Sequence, residues 1–107
     1  MQPVVSNETM RLRLLVLSQQ TVEFAENQQW QAMEEAERAL ANYLQAYITR
    51  MGAEQVAQDN ALAESLLQNQ QSAVTLLVKA QNQLARDFKQ NNQQLRATQQ
   101  YLNHAKS

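Results

Sequence analysis

The sequence holds no cysteine, one glycine (Gly52) and one proline (Pro3). Without cysteine there is no disulfide scaffold and no thiolate metal site, which fits a reducing compartment. A single glycine excludes a glycine-rich phosphate loop. So few turn residues also exclude a β-rich fold, which needs one turn every few residues. Charge of one sign is missing too: nine Lys and Arg stand against ten Asp and Glu, a net charge of −1. There is no basic surplus to neutralise phosphates, so nucleic acid is a poor partner. The longest purely apolar run, Leu14-Leu15-Val16-Leu17, is far short of a membrane span or of a signal peptide's apolar stretch. No stable membrane insertion is expected. The expectation is a cytosolic protein, or one exported without a cleaved leader.

What is present is helix-forming. Ala, Leu, Gln and Glu dominate, and 44% of the residues are hydrophobic, enough for one domain with one core in 107 residues. The predicted fold class is all-α. Amide-rich stretches such as Gln28-Gln29, Gln70-Gln71 and Gln90 to Gln94 are interleaved with Leu and Ala at helical spacing. They read as an uncharged, solvent-facing surface and not as prion-like disorder.

The spacing divides the chain into a tail over 1–6, helix one over 7–28, helix two over 30–51, helix three over 54–90 and a C-terminal helix over 93–105. Ser6 or Asn7 suits the N-cap of helix one, with Glu8 favouring the positive helix end. Leu14, Leu17, Thr21, Phe24 and Ala25 form its stripe, and Leu15, Val16 and Val22 widen it, so helix one should touch more than one neighbour. Helix two carries Trp30, Met33, Ala36, Leu40, Tyr43, Leu44, Tyr47 and Met51 on one face and ends at Gly52, where a C′ glycine belongs. Helix three shows a seven-residue seam through Leu67, Val74, Gln81 and Phe88 in one row and Gln70, Leu77 and Leu84 in another. Residues 54–105 as a single helix would reach about 75 Å against about 30 Å for each of the others. A break near Asn91-Asn92 is therefore expected, because Asn is a poor helix former. The predicted architecture is an antiparallel three- to four-helix bundle with a long third helix and a loosely held C-terminal helix.

Little here suggests catalysis. His104, the only histidine, stands near the chain end and reads as an exposed tail residue. Glu34, Glu35 and Glu37 have no second ligand cluster and no Glu-x-x-His pair, so they read as a solvated face. The expectation is not an enzyme, with no cofactor and no metal. Arg11 and Arg13 beside the Leu14 run suggest membrane-surface binding only weakly, since Glu8, Glu23 and Glu26 share that helix. Trp30, Tyr43 and Tyr47 read as core. Leu66, Leu67, Val74, Leu77, Val78 and Leu84 cover more than one stripe, and part of that row is a candidate open groove for a partner.

The segments "LSQQTVEFAENQQWQAMEEAERALANYL", "LLQNQQSAVTLLVKAQNQLARDF" and "QLRATQQYLN" occur in an order that resembles the FliT family of flagellar type III export chaperones, from about Leu14 to Asn103. Trp30 after a short break, the Leu66-Leu67 pair and Tyr101 late in a polar segment carry the resemblance. Helix two is more acidic and alanine-rich than the family pattern, and the chain ends soon after Tyr101. The resemblance implies a chaperone in the bacterial cytosol that binds the C-terminal segment of the filament-cap protein and keeps it unassembled. It implies delivery to the export apparatus, including its ATPase and export gate, and in some members inhibition of the master transcriptional regulator of flagellar genes.

The residues themselves suggest a mechanism. Leu95, Tyr101 and Leu102, if buried, each contribute about 1.5–3 kcal/mol, a sum close to the cost of ordering the dozen or so residues around them once helix hydrogen bonds offset part of that cost. A segment so balanced is expected to act as a lid over a groove beside Leu67, Val74 and Leu77, displaced by a client helix that also meets Phe88. Truncation after Lys89 should then raise client affinity. Two alternatives stand beside this reading: a chaperone of hook–filament junction proteins (FlgN-type), and a self-associating structural coiled coil. The chain itself is expected to be a monomer or a homodimer.

Overall fold

The computed structural model describes residues 5–105, and every regular element among them is an α-helix. These are α1 (Asn7–Glu26), α2 (Trp30–Met51), α3 (Ala53–Ala57) and α4 (Asn60–Ala105). The all-α expectation holds. Pro3 and most of the expected tail lie outside the described residues. By its contacts the chain divides into two units, one up to Leu76 and one from Leu77 onward.

In the first unit α1 begins where Ser6, in extended backbone, accepts a hydrogen bond at its Oγ from the Thr9 N–H at 3.1 Å. It ends at Glu26 through a tight turn in which Gln28 takes the left-handed conformation, φ 58°. Such a backbone is costly for a residue with a Cβ. Here the Gln29 N–H reaches back to the Phe24 carbonyl at 2.8 Å and the Gln28 N–H to that of Ala25 at 3.1 Å, satisfying two carbonyls the helix end would otherwise orphan. α2 packs along α1. Its last turn meets the first turn of α1, where Arg50 donates to the Val5 carbonyl and to Met10 Sδ. Gly52 ends α2 at φ 92°, with its N–H on the Ile48 carbonyl at 2.8 Å. A Cβ there would meet nothing within 4 Å, so the demand for glycine comes from the backbone alone.

Helix three as expected from the spacing is divided in the structure. α3 stops at Ala57, and Asp59 starts α4 by accepting the Leu62 N–H at 3.1 Å. The same carboxylate takes two bonds from Arg11, Nε at 2.7 Å and Nη2 at 3.2 Å. This forked pair is half-buried and ties the start of α4 to α1. The Arg11 guanidinium, then the Leu62 N–H, hold the Asp59 carboxyl below its ordinary range, while the bond to Asp59 raises Arg11. A depressed carboxyl contributes stability above its unfolded value, about pH 4, and loses it as pH falls through the folded value. Asp59→Ala, which removes both cap and pair, is expected to cost about 1–2 kcal/mol. Asp59→Asn, which keeps an acceptor for Leu62, should cost less. Urea melts at pH 7 and pH 3 check this: the gap between wild type and Asp59→Ala should narrow at the lower pH.

Met10, Leu14, Tyr47 and Leu62 form one buried cluster, with Leu15, Leu40, Tyr43, Leu44, Met51, Val56 and Leu66 packed against it. The helix-two face is as the spacing predicts, with Met33, Ala36 and Tyr47 buried. On α1 the innermost row is Met10, Leu14, Ser18, Thr21 and Ala25, while Leu17 and Phe24 are only half-buried. Ser18 is buried because its Oγ accepts from Asn69 Nδ2 of α4 at 2.9 Å and its carbonyl from Thr21 Oγ1 at 2.6 Å. Small side chains at Ser18 and Ala25 on α1 and at Ala73 on α4 are almost fully buried.

In the second unit α4 continues without interruption through Asn91 and Asn92 to Ala105. The expected break there is absent. Two exposed asparagines cost a helix only a few tenths of a kcal/mol each, and Gln, Leu, Arg and Ala on either side are good helix formers with no Gly or Pro among them. All side chains from Gln81 to His104 are exposed.

Candidate functional site

Among the described residues no group of His, Asp and Glu is arranged to hold a metal, and no buried side-chain polar atom lacks a hydrogen-bond partner. No helix of the described residues is long and apolar enough to cross a membrane. His104 is exposed in the last turn of α4, and Glu34, Glu35 and Glu37 lie on the exposed side of α2. Of the pair Arg11 and Arg13, Arg11 is engaged with Asp59.

The ten expected partner-binding residues separate into three groups. Leu66 packs against the core cluster and belongs to it. Leu67 and Val74, in the first unit, are exposed, because α4 turns Leu62, Leu66, Asn69 and Ala73 inward instead. The inward row repeats every three or four residues and contains two small or polar members, Asn69 and Ala73, which apolar patterning alone passes over. The seam through Leu67 and Val74 therefore lies on another face of the helix.

The third group is in the second unit. Leu77 is half-buried; Val78, Leu84, Phe88, Leu95, Tyr101 and Leu102 are exposed, Phe88 at 71% and Tyr101 at 74%. At about 100° per residue, Leu84, Phe88, Leu95 and Leu102 fall within about 40° of one another, a narrow apolar stripe about 27 Å long. Val78 and Tyr101 fall about 100–120° to either side of it. Lys79, Arg86, Lys89 and Arg96 occupy the remaining faces, and Gln83 bridges its neighbours, donating to Asp87 and accepting from Arg86, both at 2.9 Å. Leu95, Tyr101 and Leu102 in the second unit are exposed, and so are Leu67 and Val74 in the first.

A second surface lies in the first unit and was not among the expected site residues. Thr9, Leu12, Arg13, Val16, Leu17 and Gln20 of α1, with Tyr43 of α2, line an open groove of about 410 Å³. Leu12 and Val16 are exposed in it. The extra width of the helix-one stripe at Val16 was the sequence signal that α1 has a second apolar face.

Electrostatics distinguish the two units. Residues 1–76 hold four Arg or Lys against nine Asp or Glu; residues 77–107 hold five against one. An overall charge near zero thus conceals an acidic part and a basic one.

Neither the protein-family models, nor the curated proteins, nor the solved structures contain a match to this chain.

Proposed function

We propose that the chain is a protein-docking module without enzymatic activity, an antiparallel three-helix bundle with a basic helical arm, and that it acts as an export chaperone of the kind its sequence resembles. The observation that supports this is the arm. A stretch from Gln81 to His104, wholly exposed, displays Leu84, Phe88, Leu95 and Leu102 in one line. Exposed leucine and phenylalanine in a row lose solvation free energy until something covers them, and an amphipathic helix is the cover that matches a helical stripe. Basic side chains on the other faces favour a client of acidic character.

In this reading the client is the C-terminal helical segment of the flagellar filament-cap protein, held unassembled in the bacterial cytosol and passed to the export ATPase and gate. Binding of the flagellar master transcriptional regulator would use the same apolar surface. Because the arm's own side chains form the docking face, truncation after Lys89 removes Leu95, Tyr101 and Leu102 from it and should weaken the client instead of tightening it.

Calorimetric titration of the full chain with the cap protein's C-terminal peptide tests the reading. Micromolar binding is expected, reduced at least tenfold by truncation after Lys89. Binding of hook–filament junction peptides in its place would transfer the role to the FlgN-type alternative. Indifference to both peptides would remove the chaperone reading.

A further inference from the structure

The chain carries an apolar groove in an acidic unit and an apolar stripe on a basic one. The groove-lining residues of α1 recur at positions 9, 12, 13, 16, 17 and 20, a single helix face about 16 Å long. That is the spacing with which one helix receives another. On α2, Ala39 and Ala46 are exposed and share a flank with Tyr43 by helical spacing, so an incoming helix can approach closely on that side. The stripe repeats as Leu84, Phe88, Leu95 and Leu102, mostly at intervals of seven, the period that keeps one seam against a partner helix. Glu8, Glu23 and Glu26 lie on exposed positions of α1, while the arm holds Lys79, Arg86, Lys89 and Arg96. Arg13 is the one basic group in the groove lining, and Asp87 is the one carboxylate of the arm.

We propose that two copies of this chain exchange arms: the stripe of each copy seats in the α1–α2 groove of the other. A second copy is the occupant favoured over a foreign protein because both halves of the contact stand on one chain, in equal number and with opposite net charge, five against one facing four against nine. A two-fold exchange uses each groove and each stripe once and leaves neither exposed. The inference does not depend on which client, if any, the arm later takes, and its test contains no client.

Sedimentation equilibrium of the full chain is expected to give twice the 12.2 kDa chain mass. Raising salt to about 0.5 M should weaken the pair at least tenfold, as screening of opposite charges requires. The double variant Leu95→Asp with Leu102→Asp and the double variant Leu12→Asp with Val16→Asp should each be monomeric. Mixed in equal amounts they should associate again, because the intact groove of one meets the intact stripe of the other. The chain has no cysteine, so V16C and L95C chains, mixed under mild oxidation, should cross-link to each other, a readout that needs no disruptive groove variant. A monomeric wild type overturns the proposal. So does a groove variant that still pairs through its arms, which would be an arm-to-arm coiled coil. Growth beyond two copies, failure of the mixed variants to associate, absence of the V16C–L95C cross-link, or a monomer that binds anionic lipid vesicles each overturns it as well.

Discussion

Leu14→Ala is expected to lower the unfolding free energy by about 2–5 kcal/mol, and Leu62→Ala by a similar amount. Leu14 is 0% and Leu62 1% exposed, and both sit in the one buried cluster that joins α1, α2 and α4. Each truncation removes three carbon atoms from close packing and leaves a cavity that neighbouring helices fill only in part. The effect is large relative to the whole. A packed unit of this size holds on the order of 4–11 kcal/mol, so one such change takes a substantial share of it. At roughly 4–8 °C per kcal/mol the melting temperature should fall by about 8–40 °C. Leu12→Ala is the control on the same helix. Leu12 is 61% exposed and should change stability by about 0.5 kcal/mol or less. Thermal melts followed by circular dichroism, at concentrations low enough to keep the chain monomeric, separate the two outcomes. A Leu12→Ala loss as large as that of Leu14→Ala would mean that α1 presents a different face to the core.

That contrast between two leucines on one helix shows where sequence reading succeeds and where it stops. The α2 face was legible because Met33, Ala36 and Tyr47 are apolar and buried at regular spacing, and Gly52 marks the end with a backbone no other residue adopts easily. The α1 face was half legible. Leu14, Thr21 and Ala25 were placed inside, but Ser18 carries no apolar mark, and its burial depends on Asn69 of another helix reaching across to it. Asp59 hid in the same way: a single carboxylate serves as a helix cap for Leu62 and as an ion-pair partner for Arg11, forty-eight positions away in the chain. Pairwise complementarity of this kind is invisible to periodicity, which scores one residue at a time. The row on α4 was legible as a seven-residue seam through Leu67, Val74 and Phe88, while Leu95 and Leu102 were read as part of a separate C-terminal helix that the structure joins to it. Leu67 and Val74 were assigned both to that seam and to a candidate open groove, because a heptad row of apolar residues has no mark to show which stretch of a helix has neighbours. The α1–α2 groove had its sign in the width of the helix-one stripe, but only the positions of Leu17 and Tyr43 show that the extra face stays open.

Hydrogen exchange should divide α4 into two regimes although it is one continuous helix. Amides near Leu62, Leu66 and Ala73 lie in the packed unit and open only when that unit does, so they should be protected by the full unfolding free energy, a factor of roughly 10³–10⁸. From Gln81 to His104 no side chain is buried, so the backbone hydrogen bonds there are held by helix propensity alone. A solvated helix of that length is marginal in water: initiation is costly and each added residue gains little. The packed part of α4 supplies the initiating turns, which favours extension, but nothing opposes fraying inward from the far end. In dilute protein those amides should therefore exchange within about tenfold to a hundredfold of the unfolded rate. Protection near Leu95 should then rise with protein concentration from a low starting value, while that near Leu62 is high throughout and gains only the stabilisation that pairing lends the packed unit. Concentration-independent protection at Leu95 equal to that at Leu62 would show that the arm is buried within a single chain, and would return the lid to consideration in place of the exposed stripe.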